Sequence, residues 1–164
     1  MLTAAGVVIS RLGPAFTLAD VARQARVAVG TVAQRFGSKH GLLVAMTRTA
    51  VESLHRDMRA AVTDIGDPVA AVIEALVKLY AALDDPGTAA NNLAQLAFDL
   101  ADEELRALMA ELYAVMEAEL MPLLSRAVTD GHLPGAPPAP VAARILSAIV
   151  DGTALHWSAR PIGW

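Results

Sequence analysis

The chain has no cysteine among its 164 residues. That excludes disulfides and thiolate-bound zinc and suits a reducing compartment. Aromatic residues make up only 4%, and they do not alternate with β-branched ones in the two-residue rhythm of a half-buried strand. Without strands there is no Gly-rich phosphate loop following one. The four histidines, His40, His55, His132 and His156, lack metal-ligand spacing, and none stands beside a serine or aspartate in a nucleophile motif. No metal, cofactor or enzymatic activity is therefore expected. The basic-then-apolar opening of a secretion signal is also missing. The one membrane-like stretch, residues 141–157, carries Arg144, Asp151 and Gly152 near its middle. A charge at the centre of a bilayer costs roughly 2.5–3.5 kcal/mol, so the expectation is a buried helix of a soluble, cytoplasmic protein.

What is present points to helices. Apolar residues make up 55%, enough to exclude general disorder, and Ala, Leu, Val and Met recur at spacings of three and four. The expected fold is all-α. The net charge of −4 conceals an asymmetry. Residues 1–60 hold eight cations against three anions, +5, while the remainder stands at −9. A small basic segment on an acidic body suggests a polyanionic partner for that segment alone.

Start and stop signals divide the pattern. Leu2, Ala5, Ile9 and Leu12 form one face of an opening helix that stops at Gly13-Pro14. Thr17 caps a short helix with Asp20 at its third position, ending near Ala25. A tight turn at Arg26-Val27-Ala28 leads into a second short helix, Val29 to Phe36. Ser38 caps a long helix striped by Leu43, Met46, Ala50, Leu54 and Met58. After a break at residues 64–68, Asp67 and Pro68 open a helix that should stop at Asp84-Asp85-Pro86-Gly87. A shorter helix is expected over roughly 89–100. Another opens at Asp102-Glu103-Glu104, where anions suit the helix dipole, kinks at Pro122 and ends near Gly131. A Pro-rich link precedes the last helix, about 141–158.

Two short helices joined by a three-residue turn, wedged between a preceding and a following helix, describe a helix-turn-helix. The first crosses the phosphate backbone and the second lies in the major groove, so the turn must be tight. Val21, Ala22, Val27, Val32 and Phe36 have the spacing to lock the pair. Val29, Gly30, Thr31, Ala33, Gln34 and Arg35 remain for the outward face. The segment from Thr17 to Val27, then Gly30-Thr31-Val32, then Arg35 to Leu43 resembles the TetR/AcrR family of bacterial transcriptional regulators. The likeness is contiguous over about residues 2–43, and Asp151-Gly152 within a late apolar helix resembles that family's dimerisation helix.

The resemblance implies a DNA-binding domain of three helices over residues 1–43, with the linking helix continuing to about 60. A helical sensor and dimerisation domain then occupies residues 44–164. It further implies a homodimer, usually a repressor, that binds a double-stranded DNA operator and releases it when a small hydrophobic effector binds. Thr17 and Lys39 would hold phosphate, Thr31 and Gln34 would face the groove, and Gly30 would allow close approach. Arg26, Val29 and Arg35 complete the expected contact set. A helix N-terminus suits phosphate, lysine suits it as a point charge, and glutamine can pair with adenine. Three positions depart from the family pattern. Arg26 stands where glycine is usual, Ala28 where a capping serine is usual, and Ala33 where an aromatic is usual.

The sensor site is less legible. Met58, Tyr80, Phe98, Met109 and Met116 are candidate walls of an effector pocket, and Gln95 a candidate for orienting its polar end. Ile145, Ala148, Ile149, Gly152, Leu155 and His156 are candidates for the dimer interface, on a helix apolar on nearly every side. A second reading is a DNA-silent dimer that binds ligand or protein and keeps the fold while its reading head has degraded.

Overall fold

A computed structural model describes residues 1–80 and 85–160, apart from the side chains of residues 79 and 80. Among them are eight α-helices and no strand. They are α1 (Leu2–Leu12), α2 (Leu18–Ala25), α3 (Val29–Phe36), α4 (Lys39–Val62), α5 (Pro68–Tyr80), α6 (Pro86–Ala101), α7 (Glu103–Thr129) and α8 (Ala139–Ala159), with a 3₁₀ turn at Gly13–Ala15 after α1.

Side-chain caps set most of the starts, each satisfying amides that a helix N-terminus leaves unpaired. Ser38 Oγ accepts the Gly41 N–H at 3.0 Å, Asp67 Oδ1 the Val69 N–H at 2.9 Å, and Asp102 Oδ1 the Leu105 N–H at 3.0 Å. The start of α6 corrects the sequence expectation. Asp85 caps it, accepting the Gly87 and Thr88 N–H groups, and Pro86 is its first residue. The helix therefore begins three residues before Ala89, because Asp85-Pro86 is a start signal of the same kind as Asp67-Pro68 rather than the end of a stop. Leu83 and Asp84, expected at the close of α5, lie outside the described residues.

Buried side chains gather in two clusters that meet along α4. One joins Ala5, Val8, Ile9, Phe16, Val21, Ala22, Val32, Leu42 and Leu43 with Leu105 from α7. The other joins Leu54 and Met58 with Val72, Ala75, Met116, Leu120, Leu124 and Ala143. α7 is the central strut, packing on α4, α5, α6 and α8, while α6 packs on α1 and the 3₁₀ turn. Asn91 of α6 donates to the Ser10 carbonyl at 2.9 Å. Besides the continuous α4, the N-terminal helices thus meet the C-terminal ones at α6, by packing and a hydrogen bond, and at Leu105 of α7, by packing. No helix among the described residues is long and apolar enough to cross a membrane.

Candidate nucleic-acid interface and effector cleft

The N-terminal head is built from local bonds. The Thr17 hydroxyl accepts the Asp20 N–H at 3.2 Å and donates to the Asp20 carboxylate at 2.6 Å. That carboxylate also accepts the Thr17 N–H at 2.9 Å. The Thr17 hydroxyl bond, and after it the backbone bond, holds the Asp20 carboxyl below its ordinary pKa. This reciprocal box fixes the first turn of α2. It also commits to Asp20 the hydroxyl proton that a phosphate contact would use.

Arg26 turns the chain between α2 and α3 with φ 57° and ψ 44°, the sole non-glycine residue with positive φ among those described. Its N–H reaches the Ala22 and Arg23 carbonyls. A left-handed backbone of this kind costs a residue with a Cβ roughly 1–2 kcal/mol. Ala28, next in line, occupies the N-cap of α3 without a side-chain bond. α3 is seated by Val32, 0% exposed, against Val21, Ala22 and Leu42. The periodicity then turns Val29, Gly30, Thr31, Gln34 and Arg35 outward, and all five are exposed, as is Arg26. Nothing lies within 4 Å of where a Cβ on Gly30 would stand, so another backbone can come close. Ala33, expected outward, is half-buried. The Arg35 guanidinium lies 5.6 Å from the centroid of the neighbouring Phe36 ring.

Lys39, expected to hold phosphate, is also bonded within the fold. Its ammonium donates to the Pro14 carbonyl at the 3₁₀ turn. It sits 4.3 Å from the Phe16 ring centroid and 5.4 Å from that of Phe98 on α6. The cation thus bridges the N-terminal cluster and α6 through two ring faces. Gly41, in the first turn of α4, has a role that its place in the sequence does not announce. A Cβ there would overlap the Phe36 carbonyl oxygen, so the end of α3 and the start of α4 approach as closely as only glycine permits.

Further along α4 a cleft of about 400 Å³ opens against α7. Its walls are Leu54, Met58, Met109, Leu112, Tyr113 and Met116, with Asp57, Lys78 and Asp151 supplying charge. Met58, Met109 and Met116 are therefore brought together as expected of a pocket. Gln95 and Phe98 are not among its walls. Gln95, 5% exposed, donates to Asp99 Oδ1 at 2.7 Å and leaves its own Oε1 without a partner. Burial raises the Asp99 pKa, against the lowering effect of the Gln95 bond. Phe98 is exposed beside Lys39. The Tyr80 side chain lies outside the described residues. Tyr113 and Asp151 are the cleft's unforeseen members. The phenol donates to Asp151 Oδ2 at 3.0 Å, and burial first, then the Asp151 charge, pushes the Tyr113 pKa up to about 12.

On α8, Ala143, Ser147 and Ala154 face inward. Ile145, Ala148, Ile149, Leu155 and His156 are exposed, and Gly152 is partly so. Within a single chain α8 is thus covered on one side, by α6 and α7. Ile149 and Leu155 are each 56% exposed, an apolar face without a cover of its own.

Residues 2–46 match the family model described as bacterial regulatory proteins, tetR family. Residues 69–164 match the model described as BetI-type transcriptional repressor, C-terminal. No curated protein matches the chain. Among solved structures, a TetR-family transcriptional regulator from Rhodococcus sp. superposes with a TM-score of 0.72 at 22% identity, covering 99% of this chain and 87% of its own. FadR from Bacillus subtilis, solved in complex with stearoyl-CoA, gives 0.73 at 18% identity over 99% and 88%. The TetR-family regulator PfmR from Thermus thermophilus gives 0.68 at 20% identity over 99% and 87%.

Proposed function

The chain belongs to the TetR family of bacterial transcriptional regulators, and from that premise we propose that it is a homodimeric repressor released from its operator by a small hydrophobic effector. The observation that carries the reading is the division of labour on α3. One side chain, Val32, seats the helix, and five exposed residues face away from the core. Gln34 and Thr31 are the donors and acceptors suited to base edges, and Gly30 leaves room for the approach. Arg26 and Arg35 supply phosphate contacts around them, and the positive end of the α2 dipole faces the same backbone.

The effector enters the α4–α7 cleft. Met58, Met109 and Met116 form an adaptable apolar wall, while Lys78, Asp57 and Asp151 receive a polar end. FadR of Bacillus subtilis, a structural neighbour, carries stearoyl-CoA, in line with an effector that is largely hydrocarbon. The second protomer covers the Ile145–Ile149–Leu155 face of α8, since an apolar face of that kind seeks a two-fold partner. A regulator of this class acts where bacterial DNA is, in the cytoplasm.

The test is selection of bound sequences from random duplexes by the purified protein, followed by a salt titration on the winner. A defined two-half-site sequence is expected, with affinity falling steeply as salt rises. Enrichment of no sequence, together with no binding to any duplex at low salt, would overturn the proposal in favour of a DNA-silent dimer.

A further inference from the structure

The start of α4 carries a cluster that the functional reading does not use. His40, the helix's second residue, points both ring nitrogens at carboxylates of the α6–α7 junction. Nε2 lies 3.0 Å from Glu104 Oε2 and Nδ1 lies 3.5 Å from Asp102 Oδ2. Glu104 also receives Arg48 at 3.0 Å, and Asp102 caps α7. A neutral imidazole has one N–H and turns a bare nitrogen toward one of the carboxylates, whereas the imidazolium hydrogen-bonds Glu104 and presents a second N–H to Asp102 at ion-pair distance. The charged ring is the form that both carboxylates attract.

From this geometry we propose that His40 is a proton-operated latch between the reading head and the sensor, closed when the ring is charged, and that operator affinity falls as it opens. The proposal rests on the DNA-binding reading above. α4 follows α3 after only Gly37 and Ser38, so whatever holds His40 also holds the recognition helix relative to α7. The charges acting on the ring are those of Asp102 and Glu104. Lys39 and Arg48 stand beside it on α4, and Asp99 on α6 couples to Asp102 and Lys39. A second seam farther along, His55 and Arg59 on Glu119, joins the same two helices.

The sign follows from linkage. The Glu104 hydrogen bond, opposed by desolvation and helped by both carboxylate charges, raises the His40 pKa above its ordinary 6.5. A group raised on folding contributes fully below that ordinary value and loses its contribution as pH rises through the raised one. The latch is therefore closed below the ordinary imidazole range and opens as pH rises through the raised value.

The experiment compares wild type, His40→Gln and His40→Arg by thermal melting and by operator titration between about pH 6 and pH 8.5. Wild type should melt above His40→Gln at the acid end and converge with it at the alkaline end. Its operator affinity should fall about two- to fivefold more than that of His40→Gln over the same range. His40→Arg should stay tight throughout. Parallel melts of wild type and His40→Gln at every pH would overturn the latch. Diverging melts with identical affinity profiles would overturn its role in DNA binding. Failure of all three proteins to bind any duplex would overturn the reading of function instead, and the melting difference would tell the two apart.

Discussion

Replacing Gly41 with alanine puts the contact between the recognition helix and the linking helix to a direct test. The new Cβ would stand inside the 3.0 Å that real Cβ atoms keep from their neighbours, against the Phe36 carbonyl oxygen, and 3.3 Å from the carbon that bears it. The oxygen cannot swing aside freely, because it accepts the Ser38 N–H at 2.8 Å, and Ser38 Oγ in turn holds the Gly41 N–H. Relief requires the end of α3 and the start of α4 to part by about 1 Å, a backbone shift of the sort that costs ~1–3 kcal/mol and sometimes more. Alanine's better helix propensity returns at most about 1 kcal/mol. The net expectation is a loss of roughly 1–2 kcal/mol, toward the upper end because the overlap is with backbone rather than a flexible tip. For a chain of this size that lowers Tm by about 2–8 °C. Chemical denaturation gives the free energy and operator titration the functional cost. Affinity should fall further than stability alone demands, since α3 would be tilted from its seat even in folded molecules. A melt unchanged or raised by Gly41→Ala would refute the reasoning and show that α3 is not held to α4 at this contact.

Arg26→Gly should raise stability by about 0.5–1 kcal/mol, because relief of the left-handed strain exceeds glycine's entropy cost in the unfolded chain. Operator affinity should drop through the lost cation, and a variant in which both quantities move the same way would contradict one of the two roles. Ala28→Ser should add about 0.5–2 kcal/mol by capping α3, read as a higher denaturation midpoint with unchanged sequence preference. Ile149→Glu places a charge in the centre of the exposed face of α8. Sedimentation should then show monomer at micromolar protein, where wild type should be a dimer, and an unaltered dimer would move the interface elsewhere.

Where bonding is local, the sequence was a good guide to the structure. Thr17, Ser38, Asp67 and Asp102 each bond to an amide two or three residues away, so the helix starts they set can be read from a handful of letters. The exposure of Val29, Thr31 and Gln34 follows from the same short-range periodicity, given Val32 as the buried anchor. Asp85-Pro86 was legible too, yet after Asp84 the cluster resembled a stop. Long-range partners were another matter. Helical period places Gln95 and Asp99 on one face but does not say that this face turns inward, away from the α4–α7 cleft. Tyr113 and Asp151 meet across 38 residues, and each alone resembles ordinary bundle composition. Lys39 has the position and charge of a phosphate ligand. Its acceptor within the chain, Pro14, lies 25 residues earlier, and only the packing of α6 brings Phe98 to its other side.

The way α3 is seated also bears on how such a protein can change over generations. The helix has eight residues, one of them fully buried, and its five outward residues contribute nothing to either buried cluster. Exchanges at exposed positions of this kind usually alter stability by no more than about 0.5 kcal/mol. Mutations at residues 29, 30, 31, 34 and 35 can therefore drift through many combinations without unfolding the chain, each a new surface offered to DNA. Val32 is the fixed point of that search. A duplicated copy could acquire a different operator by changing residues that the fold does not use, while the seat, the linking helix and the cleft persist unaltered beneath them.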